Sequence, residues 1–207
     1  MTFYALKPRF QDLLRPLVTP LPRIGVTANL VTIVAALGSM VAGAVTARLA
    51  DSRTVFLIIP VWLLVRMALN AIDGMLAREF HQKSVLGGYL NEIGDVVSDA
   101  GLYAPFALVA PFGALGVGLV IVLSILTEFA GALGPAIGAS RRYDGPMGKS
   151  DRAVVFGALG LWVGFSAPMP VWLAWAVPIL ATLLVLTVVN RVRAGIGEAE
   201  SARSLEC

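Results

Sequence analysis

The sequence predicts an all-α integral membrane protein with six transmembrane helices. Of its 207 residues, 57% are hydrophobic and 14% are charged, and its mean hydropathy is +0.82. Soluble domains average about 25% charged residues. No ten-residue segments of alternating polarity occur, which argues against a β-barrel. Apolar stretches near the length that crosses a bilayer as a helix, about 20 residues, lie at 26–49, 54–77, 85–110, 112–138, 152–168 and 171–190.

The N-terminal segment, residues 1–24, places apolar side chains on one stripe of a helix among Lys7, Arg9 and Arg15. This pattern predicts an amphipathic helix lying on the membrane surface, ended by Pro20 and Pro22. A disordered basic tail is the alternative. The transmembrane domain then covers 25–194, and 195–207 form a cytoplasmic tail that could be disordered.

The distribution of Lys and Arg predicts the orientation. With the N-terminus inside, only Arg48 and Arg53 lie on the outer side, and almost all other basic residues are cytoplasmic. This asymmetry favours an N-in, C-in topology. The loops predicted on the outer side carry almost no polar chemistry, which suits an enzyme or receptor at the cytoplasmic interface better than a transporter, which needs access from both sides. Nothing in the sequence indicates nucleic-acid binding.

Two neighbouring predicted spans carry polar residues at helical spacing. On the second span one face holds Arg66, Asn70, Asp73 and Ala77. On the third span one face holds Gly87, Asn91, Asp95 and Asp99. Residues three or four apart share a face of a helix, and the two spans run in opposite directions. Asp73 and Asp95 are therefore predicted to face each other near the cytoplasm.

These carboxylates and the amide oxygens of Asn70 and Asn91 are oxygen donors, the ligand type that Mg²⁺ prefers. Without a cation the two carboxylates would repel each other. Gly74, Ala77 and Gly87 flank them and leave room either for a ligand or for close helix packing. The sequence thus predicts a divalent cation site, with the role of the small residues left open.

The same stretch resembles the signature of the CDP-alcohol phosphatidyltransferase family, D-x2-D-G-x2-A-R-x8-G-x3-D-x3-D. The residues that match stand at the signature spacing: Asp73, Gly74, Ala77, Arg78, Gly87 and Asp95. Residues 27–32 are similar to the family's P-N-x-x-T element, and Gly148-Lys149 to the start of its G-K-x-K-T element. The chain departs from the family pattern at Asn70, Asn91, Asp151 and Arg152.

The resemblance implies a bacterial inner-membrane enzyme, a homodimer, that moves a phosphatidyl group from CDP-diacylglycerol to an alcohol and releases CMP at the cytoplasmic face. It implies that Mg²⁺ or Mn²⁺ is held by Asp73 and Asp95 with Asn70 and Asn91, and that Asp95 is the general base. It implies nucleotide contacts at Gly74, Ala77, Arg78, Gly87, Asn29 and Thr32. It implies acceptor or phosphate contacts at Lys149, Arg152, Arg141 and Arg142.

The two amides in place of acids predict a single, weaker metal site, because they remove two negative charges. Two alternatives to the leading function remain at this stage. One is a non-catalytic or metal-impaired relative that binds CDP-lipid. The other is an aminoalcohol phosphotransferase that uses a soluble CDP-alcohol.

Three further charged residues, Arg66, Asp99 and Glu128, are predicted to lie deep in the membrane. An unpaired charge at that depth is costly, so Arg66 is predicted to pair with Asp99 or Glu128. The pair either fixes helix packing or lines a pocket for the acceptor headgroup.

Overall fold

The computed structural model describes residues 6–165 and 169–206, and within them the chain is all-α. Cys207, the last three residues of the predicted span 152–168 and the first five residues of the chain lie outside the described part. The helices are α1 (Leu6–Val18), α2 (Ala28–Arg48), α3 (Ile58–Glu79), α4 (Val85–Tyr103), α5 (Ala114–Ala132), α6 (Lys149–Phe165) and α7 (Ala176–Glu206).

Within the described residues, four helical segments are long and apolar enough to cross a membrane: Ala28–Arg48, Arg53–Glu79, Ala114–Ala132 and Val171–Ser204. These identify an α-helical membrane protein. The two remaining predicted spans do not meet these criteria of length and apolar character, and the reasons can be identified. α4 carries three acidic residues, Glu92, Asp95 and Asp99, and α6 is described for only 17 residues.

Several predicted boundaries are corrected by the structure. The third predicted span, 85–110, is α-helical only to Tyr103 and continues as the 3₁₀ turn Ala104–Leu108, which has a proline at its start. The fourth, 112–138, likewise ends in the proline-initiated 3₁₀ turn Gly134–Ile137 after α5. Proline removes a helix donor and clashes with the preceding turn, so the regular helix stops at each site.

The predicted tail, 195–207, is helical to Glu206 rather than disordered. α7 extends beyond the predicted span 171–190 to Glu206. This C-terminal extension of α7 contacts the connection between α5 and α6. The backbone N–H of Ser140 donates to Glu198 at 2.9 Å, and Ala199 is buried. These contacts give the extension tertiary support that its sequence alone does not reveal.

The N-terminal helix α1 packs its buried face, Leu14 and Val18, against Met75 and Leu76 of α3. Leu17, on its other side, is largely exposed. Arg15 of α1 also pairs with Glu79 at 2.5 Å. α1 is therefore amphipathic and fixed to the end of α3.

Close helix packing brings the polar faces of the bundle together. α2 contacts both α3 and α4. At the crossing of α2 and α4, a Cβ on Gly43 would overlap the backbone carbonyl of Gly101. Small residues of this kind allow helix backbones in membranes to approach each other closely. α2 thus serves as the support on which α3 and α4 present their polar side chains.

Candidate functional site

The start of α2 is held against the connection between α3 and α4. Thr27 caps the helix by accepting from the backbone N–H of Leu30 at 3.2 Å. The Asn29 amide donates to Ser84 at 3.3 Å, and Ser84 caps α4 by accepting from the backbone N–H of Gly87 at 2.9 Å. An ideal Cβ at position 87 would lie 2.7 Å from the Asn29 carbonyl oxygen. Gly87 therefore allows Asn29 to approach the first turn of α4.

Asp73 on α3 is buried, with 7% of its surface exposed. Its Oδ2 accepts a hydrogen bond from Thr32 of α2 at 2.8 Å, the only side-chain donor to Asp73 among the described residues. Asn70, one turn earlier, is half-buried, and its amide makes no hydrogen bond within the described chain. Asp73 therefore retains accepting capacity.

The exposed Arg78 folds back over Gly74 on the same helix. An ideal Cβ at position 74 would lie 2.9 Å from a guanidinium nitrogen of Arg78. Ala77, between them in sequence, is half-buried. The small residue at 74 makes room for the arginine at the rim of the site.

Asp95 on α4 contacts side chains of two other helices, α3 and α6. Its Oδ1 contacts Lys149, the first residue of α6, and lies 3.2 Å from the Arg66 guanidinium of α3. Lys149 is also within coulombic range of Asp73. Asn91, one turn before Asp95, is half-buried and has no hydrogen-bond partner for its amide in the described part of the chain. Asp73 and Asp95 thus belong to one electrostatic group.

The donor set of this group fits one divalent cation. Two carboxylates and two amides supply oxygen ligands, and Asp73 Oδ1 and Asp95 Oδ2 make no side-chain contact within the described residues. Lys149 supplies positive charge at the position where a cation would balance Asp95. No cluster of three or more His, Cys, Asp or Glu side chains suited to a metal occurs in the described ranges.

Below Asp95 lies a fully paired network of buried charges. Arg66 donates to Asp99 Oδ1 at 2.5 Å. Arg152 of α6 donates to Asp99 Oδ2 at 2.9 and 3.2 Å and to Glu128 of α5 at 2.9 Å. Thr127 accepts a further bond from Arg152 at 3.0 Å. These contacts connect the four helices α3, α4, α5 and α6.

Two more arginines extend this network towards the loop after α5. Arg191 of α7 donates to the backbone carbonyl of Thr127 and lies 3.7 Å from Glu128. Arg141 pairs with Glu92 of α4 and reaches Glu128 at 3.5 Å. The loop is therefore tied electrostatically to three helices.

Arg142 lies outside that network, on the connection between α5 and α6. It forms a bidentate pair with Asp144 at 2.9 and 3.0 Å and also contacts Glu198 of α7. The hydrogen bonds from Arg142 hold the pKa of the Asp144 carboxyl below its usual value. This group fastens the loop to the extension of α7.

Two of the predicted phosphate-binding residues are placed differently from the expectation. Arg152 is 1% exposed and saturated by Asp99, Glu128 and Thr127, so it faces the interior. Arg142 faces Asp144 and Glu198. The predicted pairing of Arg66 is confirmed, with Asp99 as its partner, and Arg66 also contacts Asp95.

Sequence reasoning missed several partners of these charges. The partners are Arg191, Thr127, Glu92, Asp144 and Glu198. Arg191 carried a usable signal, because it directly follows an apolar stretch. The others lie in loops or on polar faces, where sequence spacing does not indicate a partner.

Comparisons with known proteins agree with this geometry. Residues 25–189 match the family model for CDP-alcohol phosphatidyltransferase. The chain is 46% identical over 196 residues to inner membrane protein YnbA of Escherichia coli (strain K12), covering 93% of this chain and 96% of YnbA.

Solved structures share the fold at lower identity. Mycobacterium tuberculosis phosphatidylinositol phosphate synthase (PgsA1) in complex with manganese and citrate matches with a TM-score of 0.72 and 21% identity over 87% of each chain. The same protein with CDP-DAG bound gives a TM-score of 0.72 at 21% identity, covering 87% of this chain and 92% of that one.

Proposed function

Because the chain belongs to the CDP-alcohol phosphatidyltransferase family, we propose that it transfers the phosphatidyl group of CDP-diacylglycerol to an alcohol and releases CMP. One observation carries the proposal. Asp73 and Asp95 lie on two different helices that also carry the matching residues Gly74, Arg78 and Gly87, and Asp95 contacts Lys149 at the start of α6. The PgsA1 structure with CDP-DAG supports the choice of donor.

The proposed setting is the bacterial inner membrane, with six spans, both termini inside and the site facing the cytoplasm. The bias of Lys and Arg towards one side of the membrane supports this orientation. The name of the relative YnbA supports the location. α4 and α6 complete the six spans, because their charges face partners within the bundle rather than lipid. We also expect a homodimer, which light scattering of the purified protein would test.

A single Mg²⁺ or Mn²⁺ would be held by Asp73 and Asp95, with the Asn70 and Asn91 oxygens completing the protein ligands. The ion would stabilise negative charge on the transferring phosphate and the leaving group. The manganese in a PgsA1 structure supports a divalent cation. The contact of Thr32 with Asp73 orients this ligand in advance.

The proposed chemistry assigns a proton transfer to Asp95. Its carboxylate takes the proton of the acceptor hydroxyl, the hydroxyl oxygen forms a bond to the lipid-side phosphorus, and the bond from that phosphorus to the bridging oxygen breaks. CMP leaves with the bridging oxygen. Arg66 and Lys149 hold Asp95 in position. Arg78, Asn29 and Gly87 would contact the nucleotide.

The experiment is a CMP-release assay on the purified protein in lipid nanodiscs containing CDP-diacylglycerol, with Mg²⁺ and a panel of alcohols. Asp95→Asn is expected to reduce the rate by about 10²-fold or more, the usual contribution of a general base. Asp51→Asn is the matched control, because Asp51 is an exposed acid between α2 and α3. CMP release that is undiminished in Asp95→Asn would contradict the assignment.

A second candidate is a relative that binds CDP-lipid without turning it over. The two amides at positions 70 and 91 favour it, because they weaken the cation site. Binding of CDP-diacylglycerol without CMP release for any acceptor would support this candidate. A soluble CDP-alcohol that replaces the lipid donor would indicate an aminoalcohol phosphotransferase instead.

A further inference from the structure

Every basic side chain that surrounds the proposed acceptor region is held by a carboxylate, within the part of the chain that the structure describes. Lys149 contacts Asp95. Arg141 is held by Glu92 and Glu128. The other three bases, Arg66, Arg152 and Arg191, pair with Asp95, Asp99 and Glu128.

The formal charges of this group cancel. We define the charge cluster as Arg66, Arg141, Lys149, Arg152 and Arg191 with Asp73, Glu92, Asp95, Asp99 and Glu128. It contains equal numbers of bases and acids. A divalent cation and the doubly charged diphosphate of the donor would also offset each other. The site is therefore balanced before any acceptor arrives.

A phosphorylated acceptor would disturb that balance. A phosphate monoester carries about −1.5 to −2 charges at neutral pH and is usually bound by guanidinium or ammonium groups that face it directly. Here the guanidinium of Arg141 faces Glu92 and Glu128. Bringing a phosphate to that position would place like charges together in a largely buried region, where charge interactions are strong.

We propose that the acceptor is an alcohol without net charge, either an uncharged polyol or a zwitterionic hydroxy compound, and not a phosphorylated alcohol. The proposal rests on the proposed transferase function and names the substrate class of the same site. It also assigns Glu92 as a specificity-determining residue, since Glu92 pairs with Arg141, the arginine that a phosphate would otherwise contact. Its side chain is 35% exposed, and that of Arg141 is 27% exposed, so both can be reached from solvent.

The test compares acceptors that differ only by a phosphate group. CMP release from CDP-diacylglycerol is measured with glycerol and glycerol 3-phosphate, with inositol and inositol phosphate, and with serine and phosphoserine. We expect one unphosphorylated member to be preferred by about tenfold or more in kcat/KM, which corresponds to about 1.4 kcal/mol. Preference for a phosphorylated member would overturn the acceptor class and leave the transferase function intact.

Glu92→Gln provides a second test with a binding readout. The substitution releases Arg141, and inorganic phosphate is then expected to raise the Tm of the purified protein and to inhibit CMP release. The wild type is expected to show neither effect. Glu79→Gln is the matched control, because it releases Arg15 on the distant α1. A wild type that phosphate stabilises as strongly as Glu92→Gln would overturn the proposal.

Failure of the underlying function has a different signature. If no acceptor supports CMP release although CDP-diacylglycerol binds, the transferase function fails and the acceptor class falls with it. The change in Tm that phosphate causes in Glu92→Gln would still report whether Glu92 prevents phosphate from binding to Arg141.

Discussion

Asp99 and Asp73 are both buried carboxylates on neighbouring helices, yet their surroundings differ. Both oxygens of Asp99 accept from guanidinium groups, those of Arg66 and Arg152. Asp73 accepts from one side-chain donor within the described residues, the neutral hydroxyl of Thr32. Buried acids that are saturated by arginines hold helices together. A buried acid with accepting capacity left over is the one available to a ligand, and this contrast separates the structural network from the candidate site.

The largest effect is expected from removing the carboxylate of Asp99, the acid whose two oxygens both accept from arginines. Asp99→Asn leaves Arg66 and Arg152 without the carboxylate between them, and breaking a buried ion pair costs about 3–5 kcal/mol. We expect a strongly reduced Tm and folded yield, measured by thermal denaturation and size-exclusion chromatography in detergent. Asp73→Asn is the control of similar burial and should fold normally. A stable Asp99→Asn protein beside an unstable Asp73→Asn protein would reverse the comparison.

The next effect concerns Asp73 and the candidate cation site, where two substitutions restore the acids of the family signature. Asn70→Asp combined with Asn91→Asp adds two carboxylates around Asp73 and Asp95, and we expect Mn²⁺ to bind about tenfold tighter or more, about 1.4 kcal/mol. Calorimetric titration without nucleotide measures this. In EDTA the same protein should be less stable than wild type because the carboxylates repel each other. The exposed Asn190→Asp on α7 is the control, and equal affinity in all three proteins would argue against a cation at this position.

A smaller effect is expected from the single donor to Asp73. Thr32→Val keeps the shape of the side chain but removes the hydrogen bond to the carboxylate. We expect Mn²⁺ affinity to fall several-fold, since the net contribution of such a bond is about 0.5–1.5 kcal/mol. Thr46→Val is matched to it, because Thr46 is buried on the same helix and donates only to the backbone carbonyl of Ala42. A comparable loss in both variants would mean that Thr32 acts through the packing of α2.

The smallest effect is expected at the half-buried loop pair of Arg142 and Asp144, where solvent still reaches the side chains and screens the interaction. The pKa of Asp144 is lowered by its hydrogen bonds from Arg142. The pair therefore contributes its full stability above the ordinary pKa of Asp and loses it as the pH falls through the lowered value. Thermal denaturation at neutral and strongly acidic pH should show less acid sensitivity in Asp144→Asn than in wild type. An unchanged acid limb would show that the pair contributes nothing measurable.

The sequence predicted the membrane class and the family signature. Hydropathy and helical spacing depend only on residues that are close in the sequence, so both can be recognised without a structure. The partners of Arg141, Arg152 and Arg191 could not be predicted, because they come from helices far apart in the chain. For the same reason the interior position of Arg152 was missed: its neighbours in sequence match a phosphate-binding element, but Asp99 and Glu128 are supplied by α4 and α5.

The acids of α4 have a consequence for how the protein is made. An acidic residue at the centre of a membrane helix costs about 2.5–3.5 kcal/mol during insertion, and α4 carries Glu92, Asp95 and Asp99. Arg66 precedes α4 in the chain and contacts both Asp95 and Asp99, so a hairpin of α3 and α4 already contains one of the positive charges that offset these acids. Arg152 is synthesised more than fifty residues after Asp99. Until α6 is synthesised, Asp99 therefore has only one of its two arginine partners.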